Sequence, residues 1–243
     1  MIDIVIPLGS GTRWHDNEIR YCLRSLAVNF IDLGAVFIVG EKPKWMKNVV
    51  HIKAKDTLPE NKDGNIINKV LLACEHPDLS MDFIRLSDDQ IILQPMRFID
   101  IRPYFLDDLA DRPSVWWQGG KWKRRMKHTF ELLRKQKKTT YHYDSHIPMP
   151  CNKYLFRDVF EKVDYEKKPG VTINTWYFNN IGLEDHQKLM DQKAGFEMPA
   201  INIPIIWEKI KDKYYLSYND GGLNDYLKAV IMTTFPYKSK FEI

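Results

Sequence analysis

The sequence predicts an α/β protein whose central sheet is covered by helices on both faces. Residues 2–8, IDIVIPL, form a nearly continuous apolar and β-branched segment, which is typical of a parallel strand buried on both sides. Strand-like and helix-like patterns then alternate over the first hundred residues, as they do in α/β sheets. Hydrophobic residues make up 44% of the 243-residue chain, which is enough to build the core of a large domain.

The first hundred residues predict a regular succession of elements. After Asp16, the expected N-cap, the apolar residues Ile19, Cys22 and Leu26 recur at helical spacing. In order, the predicted elements are strand 2–8, loop 9–16, helix 16–30, strands 35–40 and 48–52, helix 64–74 and strand 83–87.

The rest of the chain predicts a less regular portion. Pro148 and Pro150 keep the residues before them out of the helical region, so residues 144–150 are expected to be extended. The remaining predictions are strand 114–118, helices 121–138 and 151–163, a turn at 219–222 and a last helix at 223–234. Because no repeat, linker or low-complexity tract is present, we expect residues 1–243 to form a single domain.

Composition restricts the class of protein. No run of about 18 apolar residues predicts a membrane-spanning helix, and the first residues lack the pattern of a secretory signal. The widely spaced Cys22, Cys74 and Cys151 suggest neither a disulfide framework nor a zinc site. We therefore expect a soluble, cytoplasmic protein without membrane insertion, whose oligomeric state the sequence leaves open.

Two adjacent carboxylates, Asp88 and Asp89, follow the predicted strand 83–87 in the segment FIRLSDDQIIL. Ligands of α/β sheets bind beyond the carboxyl ends of the strands, where loop 9–16 would also lie. Adjacent carboxylates repel each other unless a cation neutralises them, and Mg²⁺ or Mn²⁺ does so while completing its shell with diphosphate oxygens. The alternative is a strand-end turn with two solvated aspartates.

Several other classes of enzyme lack their motifs in this sequence. There is no P-loop motif, the glycines at 9–11 lack the spacing of a dinucleotide-binding fingerprint, and no G-x-S-x-G occurs. Kinase-like, dehydrogenase and serine hydrolase functions are therefore not supported.

Three segments together resemble the GT-A glycosyltransferases, and most closely the Stealth-type group of sugar and sugar-phosphate transferases. They are DNEIRYCLRSL (16–26), PKW (43–45) and SDDQ (87–90), and YDSHIPMPCNKYLF (143–156) resembles the family's later His-Pro segment. The matching residues are Asp16, Asn17, Glu18, Arg20, Tyr21, Leu23, Arg24, Ser25, Leu26, Pro43, Trp45, Asp88 and Asp89. The similarity covers roughly residues 2–160.

The resemblance implies a GT-A fold, Rossmann-like with a mixed sheet, and a nucleoside-diphosphate sugar as donor, UDP-glucose-like. It implies Mn²⁺ or Mg²⁺ at the D-x-D-type motif, with Asp89 as the principal ligand and Asp88 as a further ligand or a contact to the donor ribose. His146 would complete the metal shell, and Asp144 would be the base that deprotonates the acceptor hydroxyl. Ser87 stands where many family members carry the first aspartate, which leaves metal-independent transfer open.

Further donor contacts are predicted around the first loop and the two helix starts. These residues are Arg13, Arg20, Arg24, Lys62 and Asp63. For the arginines the alternative is ion pairing with Glu18 or other acids, and for the residues at the second helix it is capping with solvated charges.

A concentrated basic segment is the remaining sequence feature. Residues 121–138 carry nine of the 36 Lys and Arg residues and one acid, Glu131, although the whole chain has a net charge of only +4. Together with nearby tryptophans they predict a surface for a polyanionic acceptor, and the alternative is a solvated helix face. The predicted surface is Trp116, Trp117, Lys121, Trp122, Lys123, Arg124, Arg125 and Lys127.

These observations lead to one functional hypothesis and two alternatives. The hypothesis is hexose transfer to an acceptor hydroxyl, with residues 1–100 binding the donor and residues 101–243 the acceptor. The chain is similar in character to small viral glycosyltransferases that modify hydroxymethylated DNA bases, so such a base is the leading acceptor and the host cytoplasm the expected location. The alternatives are a surface-polysaccharide or sugar-phosphate transferase and a non-catalytic nucleic-acid-binding module.

Overall fold

A computed structural model describes residues 1–9 and 11–243, which form three sheets surrounded by helices. The strands are β1 (Ile2–Leu8), β2 (Leu33–Gly40), β3 (Val50–Ile52), β4 (Asp82–Arg85), β5 (Gln90–Ile92), β6 (Tyr104–Phe105), β7 (Met149–Asn152), β8 (Gln187–Lys188), β9 (Lys193–Phe196) and β10 (Tyr215–Tyr218). The helices are α1 (Asn17–Asn29), α2 (Lys62–Glu75), α3 (Lys121–Lys135), α4 (Lys153–Glu161), α5 (Ile173–Asn180), α6 (Ile203–Ile210) and α7 (Asp225–Thr234).

The main sheet has the order β3-β2-β1-β4-β7. Its first four strands are parallel, and β7 is antiparallel to β4. The consecutive residues Ile4, Val5 and Ile6 of β1 are all fully buried, so both faces of the sheet are covered. This explains the continuous apolar pattern of the strand, and the predicted α/β fold with a mixed sheet is confirmed.

A second sheet joins the middle of the chain to its C-terminal part. It has the order β5-β10-β9, with β5 antiparallel and β9 parallel to β10. A two-stranded pair, β6 and β8, completes the less regular C-terminal portion that the sequence predicted.

In the second half, one predicted element is wrong and another forms with shorter bounds. Residues Ser114–Trp117 form a short 3-10 helix and not a strand, and the ring of Trp117 stacks on Phe130 of α3 at a centroid distance of 4.9 Å. The predicted helix 151–163 begins only at Lys153, because residues 149–152 form the edge strand β7, where Pro150 is tolerated.

The start of α1 is at the predicted N-cap residue, but without a side-chain cap, and the start of α2 is capped by a residue that was not predicted. Asp16 occupies the N-cap of α1 in a left-handed conformation, with φ at 61°, and its side chain makes no capping hydrogen bond. Helix α2 is capped by Asn61, whose side chain accepts from the Gly64 amide at 3.0 Å. Lys62 and Asp63 therefore lie inside the first turn of α2. Over the described part of the chain, no helix is both long and apolar enough to cross a bilayer.

Candidate active site

A crevice opens at the carboxyl ends of β1 and β4. Its volume is about 390 Å³, within the range of small-molecule sites. The loop after β1 and the aspartates after β4 meet there, and the turn after β10 forms the opposite wall. The lining residues are Gly11, Thr12, Arg13, Glu18, Lys62, Asp88, Asp89, Tyr218, Asn219, Asp220 and Leu223. Of the predicted loop 9–16, Ser10 lies outside the described residues.

Glu18 organises the loop after β1. Its buried carboxylate accepts hydrogen bonds from the Arg13 amide at 3.0 Å, the Trp14 amide at 2.9 Å and the Thr12 hydroxyl. From the sequence, Glu18 was expected only as an ion-pair partner. Its place in the first turn of a helix, where free amides attract carboxylates, was the signal for this role.

Asp89 and His146 contact each other, with Oδ1 and Nε2 3.0 Å apart. They meet because β7 pairs with β4 in a register that sets Met149 beside Arg85, so the residues preceding β7 reach the carboxyl end of β4. His146 has a left-handed backbone, with φ at 55°. A histidine with positive φ is uncommon, and such strain clusters at functional sites.

The Asp89 and His146 pair fits a divalent metal ion. The two atoms are hydrogen-bonded to each other in this structure, and the same closeness would let both bind one divalent ion if it replaced that hydrogen bond. Carboxylate oxygen and imidazole nitrogen are also ligand types that suit Mn²⁺. Among the described residues, no group of three or more His, Cys, Asp or Glu side chains is placed to hold an ion. A bound ion would therefore need further oxygens, as diphosphates supply.

Asp88 adds negative charge next to this pair. Burial, followed by the neighbouring Asp89, raises the pKa of Asp88 to about 6, and Lys62 opposes the shift. Two carboxylates that disfavour each other's ionisation create a site that a cation stabilises.

Asp144, the predicted base, accepts a hydrogen bond from the Thr175 hydroxyl at 2.9 Å. Burial, followed by the charge of Asp63, raises the pKa of Asp144 to about 6, while Arg85 opposes the shift. Such a pKa suits a general base near neutral pH. Asp144 is not among the residues that line the crevice in the described structure.

The three arginines predicted to bind the donor lie in two different places. Arg13 reaches across the crevice and pairs with Asp220 at 3.1 Å, with both side chains about 70% exposed. Arg24 is buried and forms two hydrogen bonds of 2.8 Å with Glu242, and Arg20 lies 3.7 Å from the same carboxylate. Arg20 and Arg24 therefore lie next to an acidic residue, Glu242, as the ion-pairing alternative predicted. We do not include these two arginines in the proposed site.

Asp63 and Arg125 are also engaged with each other. Their side chains form a buried ion pair, and Arg125 donates further hydrogen bonds of 3.2 Å to the carbonyls of Glu60 and Pro169. This pair joins the start of α2 to α3. Arg125 is therefore a buried structural residue and does not belong to the exposed basic surface that was predicted around it.

The other residues of the predicted acceptor surface divide into packed and exposed groups. Trp116 packs edge to face on Trp117, with Lys123 3.2 Å from its ring centroid. Lys121 forms an ion pair with Glu60 at 2.7 Å. The exposed members of the surface are Lys121, Trp122, Arg124 and Lys127.

Two residues near the crevice were not predicted from the sequence. Tyr218 lines the crevice, and its buried hydroxyl has no hydrogen-bond partner among the described residues. Burial, followed by the charge of Asp89, raises the pKa of Tyr218 well above its ordinary value, so the phenol stays a neutral donor. Lys69 is buried at the end of β1 and donates to the Leu8 carbonyl at 2.9 Å and to Asp56 at 2.6 Å. Lys69 interrupts the apolar pattern of helix α2, and this interruption could have identified it from the sequence.

The arrangement of sheets and helices is the GT-A glycosyltransferase fold. Among solved structures, the chain is similar to galactosyltransferase LgtC in complex with donor and acceptor sugar analogs, with a TM-score of 0.53, 11% identity and 98% of both chains covered. It is also similar to an active-site mutant of LgtC, with a TM-score of 0.52, 10% identity and 98% of both chains covered.

The apo structure of the bifunctional glycosyltransferase WbbM gives a TM-score of 0.54 and 9% identity. This match covers 98% of the present chain and 50% of WbbM, so the chain spans about half the length of that protein. No protein-family model matches the sequence, and no curated protein does. Identities this low establish the fold and leave the activity to be argued from the site.

Proposed function

We propose that the protein is a metal-assisted glycosyltransferase that moves a hexose from a nucleoside-diphosphate sugar, UDP-glucose-like, to an acceptor hydroxyl. One observation carries the proposal. Asp89 and His146 are hydrogen-bonded at 3.0 Å, close enough to share one ion, beside a crevice at the carboxyl ends of parallel strands in a GT-A fold.

The residues around the crevice have distinct roles in this proposal. Asp89 and His146 would hold the ion, with Asp88 beside them, and a bound ion would supply positive charge for the departing nucleoside diphosphate. Lys62 and Arg13 supply positive charge to the diphosphate from the crevice wall. Asp144 accepts the proton of the acceptor hydroxyl, which its raised pKa supports.

Donor hydrolysis tests the proposal without knowledge of the acceptor. The protein is incubated with UDP-glucose and other nucleotide sugars in Mn²⁺, and release of the nucleoside diphosphate is measured. We expect turnover that Asp89→Asn lowers at least roughly 100-fold, since the variant loses an anionic ligand. Asp78→Asn, which removes an exposed carboxylate before β4, is the matched control and should behave like the wild type. Unchanged turnover in Asp89→Asn would exclude the metal role.

For the acceptor we propose a hydroxymethylated base in DNA. The support is the exposed basic side of α3, which includes Arg124 and Lys127 and continues into 134–138, with the half-exposed ring of Trp122 beside it. Cations on one face neutralise backbone phosphates, and a base in a duplex must be extruded to react. We expect Arg124→Ala with Lys127→Ala to weaken DNA binding and to reduce its salt dependence by about two phosphate contacts.

A saccharide acceptor is the second candidate. It is favoured by the ion pairs that engage Lys121 and Arg125, which reduce the free positive charge of the predicted surface. The solved LgtC complex contains an acceptor sugar analog. Mass spectrometry of hydroxymethylated DNA and of candidate glycans after incubation with each donor separates the two acceptors. DNA binding without any donor turnover would instead indicate a non-catalytic module.

A further inference from the structure

The contact between His146 and Asp89 depends on a backbone segment that the C-terminal part of the chain holds in place. We propose that Lys193 is a positioning residue for this pair, and that its hydrogen bond to the Ser145 carbonyl keeps His146 in metal-binding orientation. The inference rests on the proposed function, since it concerns the ion that Asp89 and His146 would share.

The hydrogen bond itself is the first observation. Lys193 Nζ donates to the Ser145 carbonyl oxygen at 2.7 Å, directly before His146. Ser145 is fully buried, and its amide donates to the Tyr143 carbonyl at 2.7 Å. Both backbone polar groups of Ser145, the residue before the histidine, are thus held by hydrogen bonds.

The backbone of His146 gives the second observation. A left-handed φ in a residue other than glycine costs about 1–3 kcal/mol and persists only where the surroundings enforce it. The Lys193 ammonium is one of the groups that enforce it. Without this hydrogen bond the histidine can relax toward an ordinary φ, which turns its ring away from Asp89.

Sheet connectivity supplies the third observation. Lys193 begins β9 and lies beside Tyr215 of β10, whose other neighbour is Ile92 of β5. Asp89 immediately precedes β5. The same three strands therefore hold Asp89 on one side and the support of His146 on the other, so their relative position is set by one rigid unit.

Because Lys193 is positively charged, the direction in which its replacement changes the affinity for a divalent cation distinguishes two roles. Burial lowers the pKa of Lys193 to about 8, and the charges of Glu197 and Asp89 oppose that shift. If Lys193 acted only through its charge near Asp89, its removal would strengthen the binding of a divalent cation. If it positions His146, its removal weakens that binding.

The test measures the dissociation constant of Mn²⁺ alone for the full chain, by calorimetry and by the Mn²⁺ paramagnetic resonance signal. We expect Lys193→Met to weaken binding roughly 10-fold or more, as loss of a group that orients a metal ligand does, and Lys193→Arg to restore most of it. The control is Lys153→Met, which removes a hydrogen bond of the same length, 2.7 Å, from a lysine to the His76 carbonyl.

Each outcome decides a separate point. Mn²⁺ binding by Lys193→Met that equals or exceeds the wild type overturns the positioning role and leaves the proposed function intact. An equal loss in Lys153→Met also overturns it, because the effect would then follow from general destabilisation. Absence of Mn²⁺ binding by the wild type, with UDP present or absent, overturns the metal-assisted function and this inference together. If Lys193→Met does not fold, Lys193→Gln replaces it.

Discussion

The crevice and the basic helix α3 are both charged regions, but they are built in different ways. The crevice draws its polar residues from the ends of β1, β4 and β10 and from the starts of α1 and α2, and two of them, Glu18 and Tyr218, are buried. The cations of α3 come from a single helix. Most of them are exposed, Lys123 lies half-buried over the ring of Trp116, and Arg125 is taken up by an internal ion pair. Convergence of separate elements on one point is therefore better evidence for a site than the density of charge in a segment.

The largest expected effect comes from the buried cation of α3. Arg125→Met leaves Asp63 without its partner in a largely buried position, which should lower the free energy of unfolding by about 3–5 kcal/mol. Arg124→Met, which changes the exposed neighbouring residue, should stay within about 0.5 kcal/mol. Urea denaturation of both variants measures the difference. Equal stability of the two would contradict the division of α3 into structural and exposed cations.

A pH-dependent effect is expected beneath the same helix, at His142. Its ring packs against Trp116 and Trp122 at centroid distances of 5.9 and 5.8 Å, and burial lowers its pKa to about 4. Because the unfolded chain takes up a proton near pH 6.5 and the folded chain only near pH 4, stability is lost as the pH falls through this window. The loss amounts to about 3 kcal/mol at most.

His142→Phe should remove this dependence, since neither ring nitrogen has a hydrogen-bond partner among the described residues. Relative to the wild type, the variant should gain stability as the pH falls from about 7.5 to about 4.5 in denaturant titrations. Parallel pH profiles for the two proteins would show that His142 is not held in its neutral form.

In the crevice, a substitution at Glu18 tests whether this residue holds the loop after β1. Glu18→Ala leaves the Arg13 amide without its acceptor and the Trp14 amide with only the Thr12 hydroxyl at 3.2 Å, which should cost about 2 kcal/mol of stability and loosen the loop. Trp14 stacks on Tyr21 at 5.1 Å, so its fluorescence should report the change. Unaltered fluorescence together with unaltered donor binding would mean that the loop is held by other contacts.

The smallest expected effect is at Tyr218. If its unpartnered hydroxyl donates to the bound donor, Tyr218→Phe should weaken the binding of UDP with Mn²⁺ by roughly 10-fold, the effect of one hydrogen bond to a charged group. Tyr215→Phe, on the same strand but outside the crevice lining, is the control. Calorimetry measures both. Equal affinity of Tyr218→Phe and the wild type would assign the hydroxyl a role in packing only.

The sequence predicted local features well and distant pairings poorly. The apolar run of β1 and the helical spacing after Asp16 are local signals, and both elements form as expected. Strand β7 escaped prediction because its partner β4 lies about 65 residues earlier and its sequence, MPCN, has no strand pattern of its own.

The candidate site shows the same limit. Asp88 and Asp89 could be located because strand order alone places them at the ligand-binding edge. The partners of Arg24 and Arg125, Glu242 and Asp63, lie 218 and 62 residues away, and no local pattern marks them. Long-range ion pairs depend on the final packing, so a sequence pattern shows the charges and not their partners.

The small sheet β5-β10-β9 has a consequence for how such proteins can change over evolutionary time. Its central strand comes from the C-terminal part of the chain, while β5 immediately follows the aspartates of the crevice. A gene recombination that exchanged residues beyond 100 for those of another protein would remove the partner of β5 along with Lys193 and Tyr218. Changes in binding at the crevice are therefore expected to arise by substitution within loops and surface helices, and not by exchange of whole modules.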